Sequence, residues 1–207
     1  MTDLSVPTQV TDPFSPEAYD PIPCFRAWLA EAEAGEPNDP NAMALATATP
    51  TGLPSVRMVL LKEVSGREFV FYTNAESRKG EELRANPHAA LCLYWKSLSR
   101  QVRIEGSVEE VSPERADAYF HTRSHWSQVS AAASEQSRPL DRRATLEARA
   151  AELALQYPGD VPRPSRWTGF AVLAERIEFW KAGPHRLHDR MLYTKMQDVW
   201  VRTRLYP

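Results

Sequence analysis

Apolar residues recur at two periods along this chain, and the switches between them mark out its elements. Behind Asp20, a candidate cap, Ile22, Phe25, Trp28, Leu29 and Ala32 return at helical spacing until Gly35, Pro37 and Pro40 end the run. From about residue 43 the spacing is that of strands. Met43–Thr49 and Ser55–Val64 flank the turn Pro50-Thr51-Gly52, and Glu68–Thr73 follows the turn Ser65-Gly66-Arg67. Ser77 is placed to cap a short helix through Leu83, stopped near Asn86-Pro87. Ala89–Trp95 is apolar on both faces, as a buried strand is. Gln101–Val111 alternates, with Val102, Ile104 and Val108 on one face and Gln101, Arg103 and Glu105 on the other. Helices return after Pro113 and over Leu146–Tyr157. The proline-rich loop 158–166 then leads to strands at Gly169–Trp180, Met191–Thr194 and Val199–Arg204.

Consecutive strands with short turns predict an antiparallel sheet, and helices interleaved with them predict an α+β barrel whose ends they plug. Residues 21–207 read as one domain. Residues 1–20, with three prolines and few apolar anchors, read as a flexible N-terminal arm. At 207 residues and 43% apolar composition the chain can bury a substantial core. The net charge of −2 argues against a general nucleic-acid binder, so any bound anion must be held by a local basic cluster. Only Cys24 and Cys92 are present, with no CxxC pair, and Asp3 and Pro7 stand where a secretory leader would be basic and then apolar. A cytoplasmic protein with buried, unreactive thiols is expected. No apolar stretch reaches bilayer-spanning length, so no membrane association is expected. No GxGxxG or GxxxxGKS loop follows a strand, which disfavours a Rossmann or P-loop nucleotide site.

Three groups of side chains carry candidate chemistry. The first is Arg57–Lys62 (RMVLLK), followed by Tyr72-Thr73 and Ser77-Arg78-Lys79. A continuous strand puts Arg57 and Lys62 on opposite faces, because five is odd under a period of two. Arg78 and Lys79 open a helix whose free N–H groups favour a phosphate, while solvated charges at a strand end and a helix start are the plainer reading. The second group is Tyr119, Arg123 and Ser127: on one continuous helix they share a face, suited to phosphate oxygens or simply to water. The third is Trp180 with Arg186, His188 and Arg190. On an extended segment the last three alternate onto one side, where mutual repulsion is relieved by an anion. His185 and His188 lack a third ligand at metal-site spacing, so no metal is expected. Gln101 and Gln136-Ser137 are polar groups beside apolar runs, able to bond a heterocycle or to face water.

Taken in order and spacing, RMVLLK, FYTNAESRKGEEL, RQVRIEG, YFHTRSHWSQ, EQS, IEFWKAGPHRLHDR and the terminal RLYP resemble the pyridoxamine/pyridoxine 5′-phosphate oxidases, from about Asp39 to Pro207. The resemblance implies an antiparallel split β-barrel with surrounding helices and a homodimer that binds FMN at its interface with residues of both chains. By motif matching, FMN is met by Arg57, Met58, Val59, Leu60, Leu61 and Lys62, by Tyr72, Thr73, Arg78 and Lys79, and by Gln101, Gln136, Ser137, Trp180 and Arg190. The substrate is met by Lys62, Tyr119, Arg123 and Ser127 through its phosphate, and by Arg186, Leu187 and His188, with Arg186 and His188 as the catalytic pair. The implied reaction oxidises pyridoxamine or pyridoxine 5′-phosphate to pyridoxal 5′-phosphate, with O₂ reduced to H₂O₂. A related split-barrel flavoenzyme of the phenazine-biosynthesis type, or a non-catalytic flavin- or phosphate-binding protein, is the alternative. One departure stands out: family members often carry an Arg-x-x-Tyr element in an arm that closes over the site, but residues 1–20 hold no arginine, and Tyr19 is a partial counterpart.

Overall fold

Asp20 does cap the first helix. In the computed structural model, which describes residues 10–207, its carboxylate accepts the Ile22 N–H at 2.9 Å and starts α1 (Pro21–Gly35). Strands β1 (Ala42–Ala48), β2 (Pro54–Leu60), β3 (Glu63–Ser65) and β4 (Glu68–Asn74) follow, then α2 (Arg78–Ala85), β5 (His88–Trp95) and β6 (Arg100–Glu110). Helices α3 (Pro113–Thr122), α4 (His125–Ala133) and α5 (Arg143–Gln156) precede β7 (Trp167–Lys181), β8 (Asp189–Met196) and β9 (Val199–Arg204).

Every strand pair is antiparallel, and the sheet runs β2-β1-β5-β6-β7-β4-β3, with β8 added to β7 and β9 to β8. Its two end strands, β2 and β3, are consecutive in the chain, so the sheet must curl until its edges meet. The join is tied on both sides: Leu61 N–H donates to Asn41 O and Lys62 N–H donates to Val70 O, each at 2.8 Å. The barrel is split along β7, whose first half pairs with β4 and whose second half pairs with β8, while β6 runs beside both. A register shift at Glu105/Gly106 accommodates that divergence. Only glycine fits there, since a Cβ on Gly106 would lie 2.0 Å from Leu173 O.

The inward positions of these strands make the core, among them Met43, Leu45, Phe69, Phe71, Leu91, Leu93, Ile104 and Val172. Helix α1 plugs the barrel with Phe25, edge-on to Phe69 at 4.9 Å, and Trp28, edge-on to Phe179 at 5.2 Å. The strand expected over Ser55–Val64 is two strands, because the chain crosses from β1 to β4 at Leu61-Lys62 and Leu61 drops into the core. The expected flexible arm falls partly on residues 1–9, outside the described residues. Its remainder is anchored: the buried Tyr193 hydroxyl donates to Pro13 O (2.7 Å), and the Arg202 guanidinium donates to Ser15 O and Pro16 O. Residues 10–20 thus give β8 and β9 acceptors that those side chains would otherwise lack, and Tyr19 points away at 73% exposure.

Helix α2 is seated by Gly80, where a Cβ would lie 2.2 Å from Ala75 O, a backbone atom with no room to yield. On an open helix face Gly→Ala stabilises by about 1 kcal/mol. Here Gly80→Ala is expected to destabilise by about 1–3 kcal/mol, as overpacking does. A lower urea midpoint checks this; a raised midpoint would contradict the close approach.

Candidate functional site

A cavity of about 830 Å³ opens where β2, the end of β4, the start of α2 and the α3–α4 turn converge. Arg57, Lys62, Arg78, Lys79 and Arg123 line it, and among the described residues no acidic side chain does. Arg57 and Lys62, expected on opposite faces, therefore share this space, because the strand between them breaks at Leu61. Met58, Val59, Leu60, Tyr72, Thr73, Tyr119, Ser127, Gln136 and Ser137 complete the expected residues found in its wall.

One end of the cavity is built on α2. Ser77 accepts the Gly80 N–H and so fixes the helix start, from which Arg78 and Lys79 project. Lys79 is 8% exposed, and its ammonium donates to Thr73 Oγ1 (3.1 Å), Ser77 Oγ (3.1 Å) and Gln136 Oε1 (2.6 Å). Burial, and then the nearby Arg57, lower its pKa to about 8. Burial lowers that of Arg57 as well, against the pull of Glu82. Three cations and the hydroxyls of Thr73 and Ser137 thus converge without an anion among the described lining groups, a charge and donor set suited to a phosphomonoester.

Tyr119, Arg123 and Ser127 form the other end, though not on a single helix. Helix α3 stops at Thr122, Arg123 is its extended C-cap, and Ser124 caps α4 by accepting the Ser127 N–H. The break lets the Arg123 guanidinium turn inward, 5.0 Å from the Trp167 ring and 5.7 Å from that of Phe120. Its Nη1 is buried with no hydrogen-bond partner among the described residues. Tyr119 stacks on Tyr72 at 4.1 Å, and Tyr72 on Trp167 at 5.3 Å, which holds the Tyr119 hydroxyl at the same rim. A buried guanidinium with an unused donor is unfavourable unless an anion completes it.

The remaining expected residues do not line this cavity. Leu61 is core. Gln101, Trp180 and Arg190 instead occupy one row across β6, β7 and β8, as successive register partners on the sheet's outer face. Arg190 Nε donates to the buried Glu178 at 2.8 Å, which raises the guanidinium pKa, and its Nη1 donates to Tyr206 O at 2.9 Å. His188 lies 4.7 Å from the Trp180 ring, and its Nδ1 accepts the Gly183 N–H at 3.2 Å. Neutral His188 therefore carries its proton on Nε2. The segment is not extended as expected. Pro184–Arg186 is a 3-10 turn in which His185 and Arg186 have φ of 55° and 62°, because Gly183 and Leu187 pack backbone to backbone. Two adjacent left-handed non-glycine residues store strain of about 1–3 kcal/mol each, and both Arg186 and Leu187 are exposed.

Sequence reading missed Ser55, Trp167 and the carboxylates Glu82 and Glu178. Ser55 sits two before Arg57 on the same strand face, and Glu82 sits one helical turn after Arg78, so period alone pointed to both. Trp167 and Glu178 reach their partners through sheet pairing, which carries no local signal.

Comparison with known proteins agrees with this architecture. A family model described as pyridoxamine 5′-phosphate oxidase matches residues 29–157, and one described as pyridoxine 5′-phosphate oxidase C-terminal dimerisation region matches residues 167–207. A pyridoxine/pyridoxamine 5′-phosphate oxidase of Gluconobacter oxydans is 60% identical over 189 residues, covering 91% of this chain and 94% of that one. Its namesake in Sphingopyxis alaskensis is 61% identical over 189 residues, covering 91% and 88%. PhzG from Burkholderia lata, solved with tetrahydrophenazine-1-carboxylic acid, superposes with a TM-score of 0.90 at 34% identity, covering 98% of this chain and 100% of that one. A pyridoxamine 5′-phosphate oxidase-related, FMN binding protein from Nostoc punctiforme, at 16% identity and a TM-score of 0.75, covers 90% and 97% and shares the fold. With a family model spanning more than half its length and relatives this similar over nine-tenths of it, the chain belongs to the pyridoxamine 5′-phosphate oxidase family.

Proposed function

We propose that the chain is an FMN-dependent oxidase, working as a cytoplasmic homodimer, that converts pyridoxamine and pyridoxine 5′-phosphates to pyridoxal 5′-phosphate with O₂ as acceptor and H₂O₂ as product. The observation that carries this reading is one cavity, free of acidic side chains among the described residues, with a cationic and hydroxyl cluster at each end, one for each of two phosphoesters. At the α2 end, Arg57, Arg78 and Lys79 hold the FMN phosphate, with Gln136 and Ser137 beside them. At the other, Lys62, Tyr119, Arg123 and Ser127 hold the substrate phosphate, for which Arg123 Nη1 stands unsatisfied. FMN held by these residues would supply the hydride-accepting and oxygen-reducing chemistry.

Gln101, Trp180, Arg186, Leu187, His188 and Arg190 reach the reacting atoms from the second protomer. Their position outside this chain's own cavity supports that arrangement, as does the exposed apolar edge of β2, with Val56 at 68% and Met58 at 63% exposure. The partner's Arg186 and His188 then orient the amine or hydroxyl. His188, protonated on Nε2 when neutral, acts there as a donor, while Arg186 stabilises developing negative charge. The unbridged Cys24 and Cys92 fit a reducing compartment.

Lys79 gives this reading a pH dependence. In the flavin-free protein it loses its proton as pH rises through about 8, whereas a bound phosphate dianion holds it charged. Binding above that pH takes up one proton, so FMN affinity is expected to begin falling near pH 8, to approach about a tenfold loss per pH unit above it, and to level off towards about pH 7. Fluorescence titration of the flavin-free protein checks this, and an affinity that rises with pH would contradict it.

The similarity to PhzG favours one other reading, a flavoenzyme acting on a carboxylated tricycle. Oxygen uptake with each substrate separates the two. Stoichiometric H₂O₂ with pyridoxine or pyridoxamine phosphate is expected. A flavin-loaded protein inert towards both, yet active on tetrahydrophenazine-1-carboxylic acid, would contradict the assignment.

A further inference from the structure

Beneath the cations at the α2 end lies a carboxylate that the functional reading leaves unused. Glu82 is 6% exposed, and its oxygens accept from four side chains on three elements. Oε1 takes Arg78 Nε at 2.8 Å, one turn back along α2. Oε2 takes Ser55 Oγ at 2.5 Å, Arg57 Nη2 at 3.5 Å, and the Thr47 hydroxyl. Thr47 and Ser55 are register partners on β1 and β2, so a single carboxylate stitches the helix to both strands.

The direction of these bonds is determined. A guanidinium only donates, so Thr47 Oγ1 must accept from Arg57 Nη1 (2.7 Å) and Ser55 Oγ from Arg57 Nη2, leaving both hydroxyl protons for Glu82. Arg57 Nη1 also donates to Leu45 O at 3.0 Å. Glu82 therefore grips Arg57 directly and through two hydroxyls, and grips Arg78 by itself. Arg78 is 63% exposed along its side chain, and this ion pair is its anchor. A carboxylate so deeply buried is unfavourable unless fully paired, and here the pairing falls on two arginines that both line the cavity. Burial would raise the Glu82 pKa, but hydrogen bonds from Ser55, Thr47 and Arg78 outweigh it and hold the pKa down to about 2, so the charge is permanent in the working range.

We propose that Glu82 is the positioning residue of the phosphate cradle: it fixes the Arg57 and Arg78 guanidinium groups at the cavity wall before any phosphate arrives. It also offsets, from beneath the wall, the repulsion of Arg57, Arg78 and Lys79, which are crowded together with no carboxylate among the described lining residues. Glutamine cannot replace it. An amide has one acceptor oxygen for the four donors, and its NH₂ would face a guanidinium N–H.

The inference rests on the FMN-phosphate reading, so its test uses two flavins that differ only in that phosphate. Dissociation constants for FMN and riboflavin are measured by fluorescence quenching on the full chain freed of flavin. In the native protein FMN should bind far more tightly; equal affinities would overturn the phosphate reading itself, and this inference with it. Given native discrimination, Glu82→Gln should lower the FMN preference over riboflavin at least roughly fivefold, the scale of a lost charge-assisted hydrogen bond. Any smaller fall, a parallel loss of both flavins, or a rise in FMN affinity would overturn the proposal while leaving the phosphate reading intact. Should Glu82→Gln not fold, Thr47→Val removes the hydroxyl between Glu82 and Arg57 at constant shape. It should reduce the preference at least roughly twofold, and an unchanged preference overturns the proposal.

Discussion

Arg186→Ala is expected to lower kcat by roughly 10²-fold or more while the purified protein keeps a full complement of FMN. The side chain projects from a strained turn on the outer face of the sheet and contributes nothing to the cavity of its own chain. Removing it leaves the cationic cluster of Arg57, Arg78 and Lys79 untouched, so cofactor retention should not change. What goes is a positive charge aimed, in the proposed dimer, at the reacting carbon of the substrate. Relief of the left-handed φ at this residue does not come with alanine, so the turn itself should persist. Flavin content together with single-turnover reduction rates measures both halves of this statement. A variant that loses flavin but turns over normally once reconstituted would make Arg186 a cofactor ligand instead.

Arg123→Ala should act on the opposite quantity. Its unpaired Nη1 is the buried donor at the Tyr119–Ser127 end, and its guanidinium is held over Trp167 before any ligand binds. A charge-assisted hydrogen bond contributes about 1.5–3 kcal/mol, so KM for either B6 phosphate should rise roughly 10- to 150-fold with kcat little altered. In the ligand-free protein burial already works against this charge, lowering its pKa, so alanine should not cost folding stability. Steady-state kinetics and thermal melts test both parts. An unchanged KM would remove Arg123 from the phosphate site.

Most of the fold was legible because one face of each strand is buried. On β6, Val102, Ile104 and Val108 are inside while Arg103 and Glu109 are exposed, and that alternation needs no knowledge of neighbours. Errors came where the chain changes partner. Leu61-Lys62 looks like strand, yet there the chain leaves β1 for β4, and a period-two count carried through the join put Arg57 and Lys62 on opposite faces. At Arg123-Ser124 the helical pattern continues through a break that only the capping serine announces, and Gly183-Pro184 announced a turn that was read as extended chain. The site was half legible. Residues contiguous in RMVLLK or SRK could be grouped by motif, whereas the row Gln101–Trp180–Arg190 exists only through the register of three strands. Glu82 and Glu178 escaped for a related reason: a buried carboxylate looks like a surface one until its partners are in place.

A crystal structure of the protein with FMN and pyridoxal 5′-phosphate bound tests the central claim most directly. It should show two phosphates in one cavity, FMN's against Arg57, Arg78 and Lys79 and the product's against Lys62, Tyr119, Arg123 and Ser127, with Trp180, Arg186 and His188 arriving from the second protomer. Both molecules contacted by one chain alone, with nothing from the second protomer, or either phosphate seated away from its cluster, would contradict it.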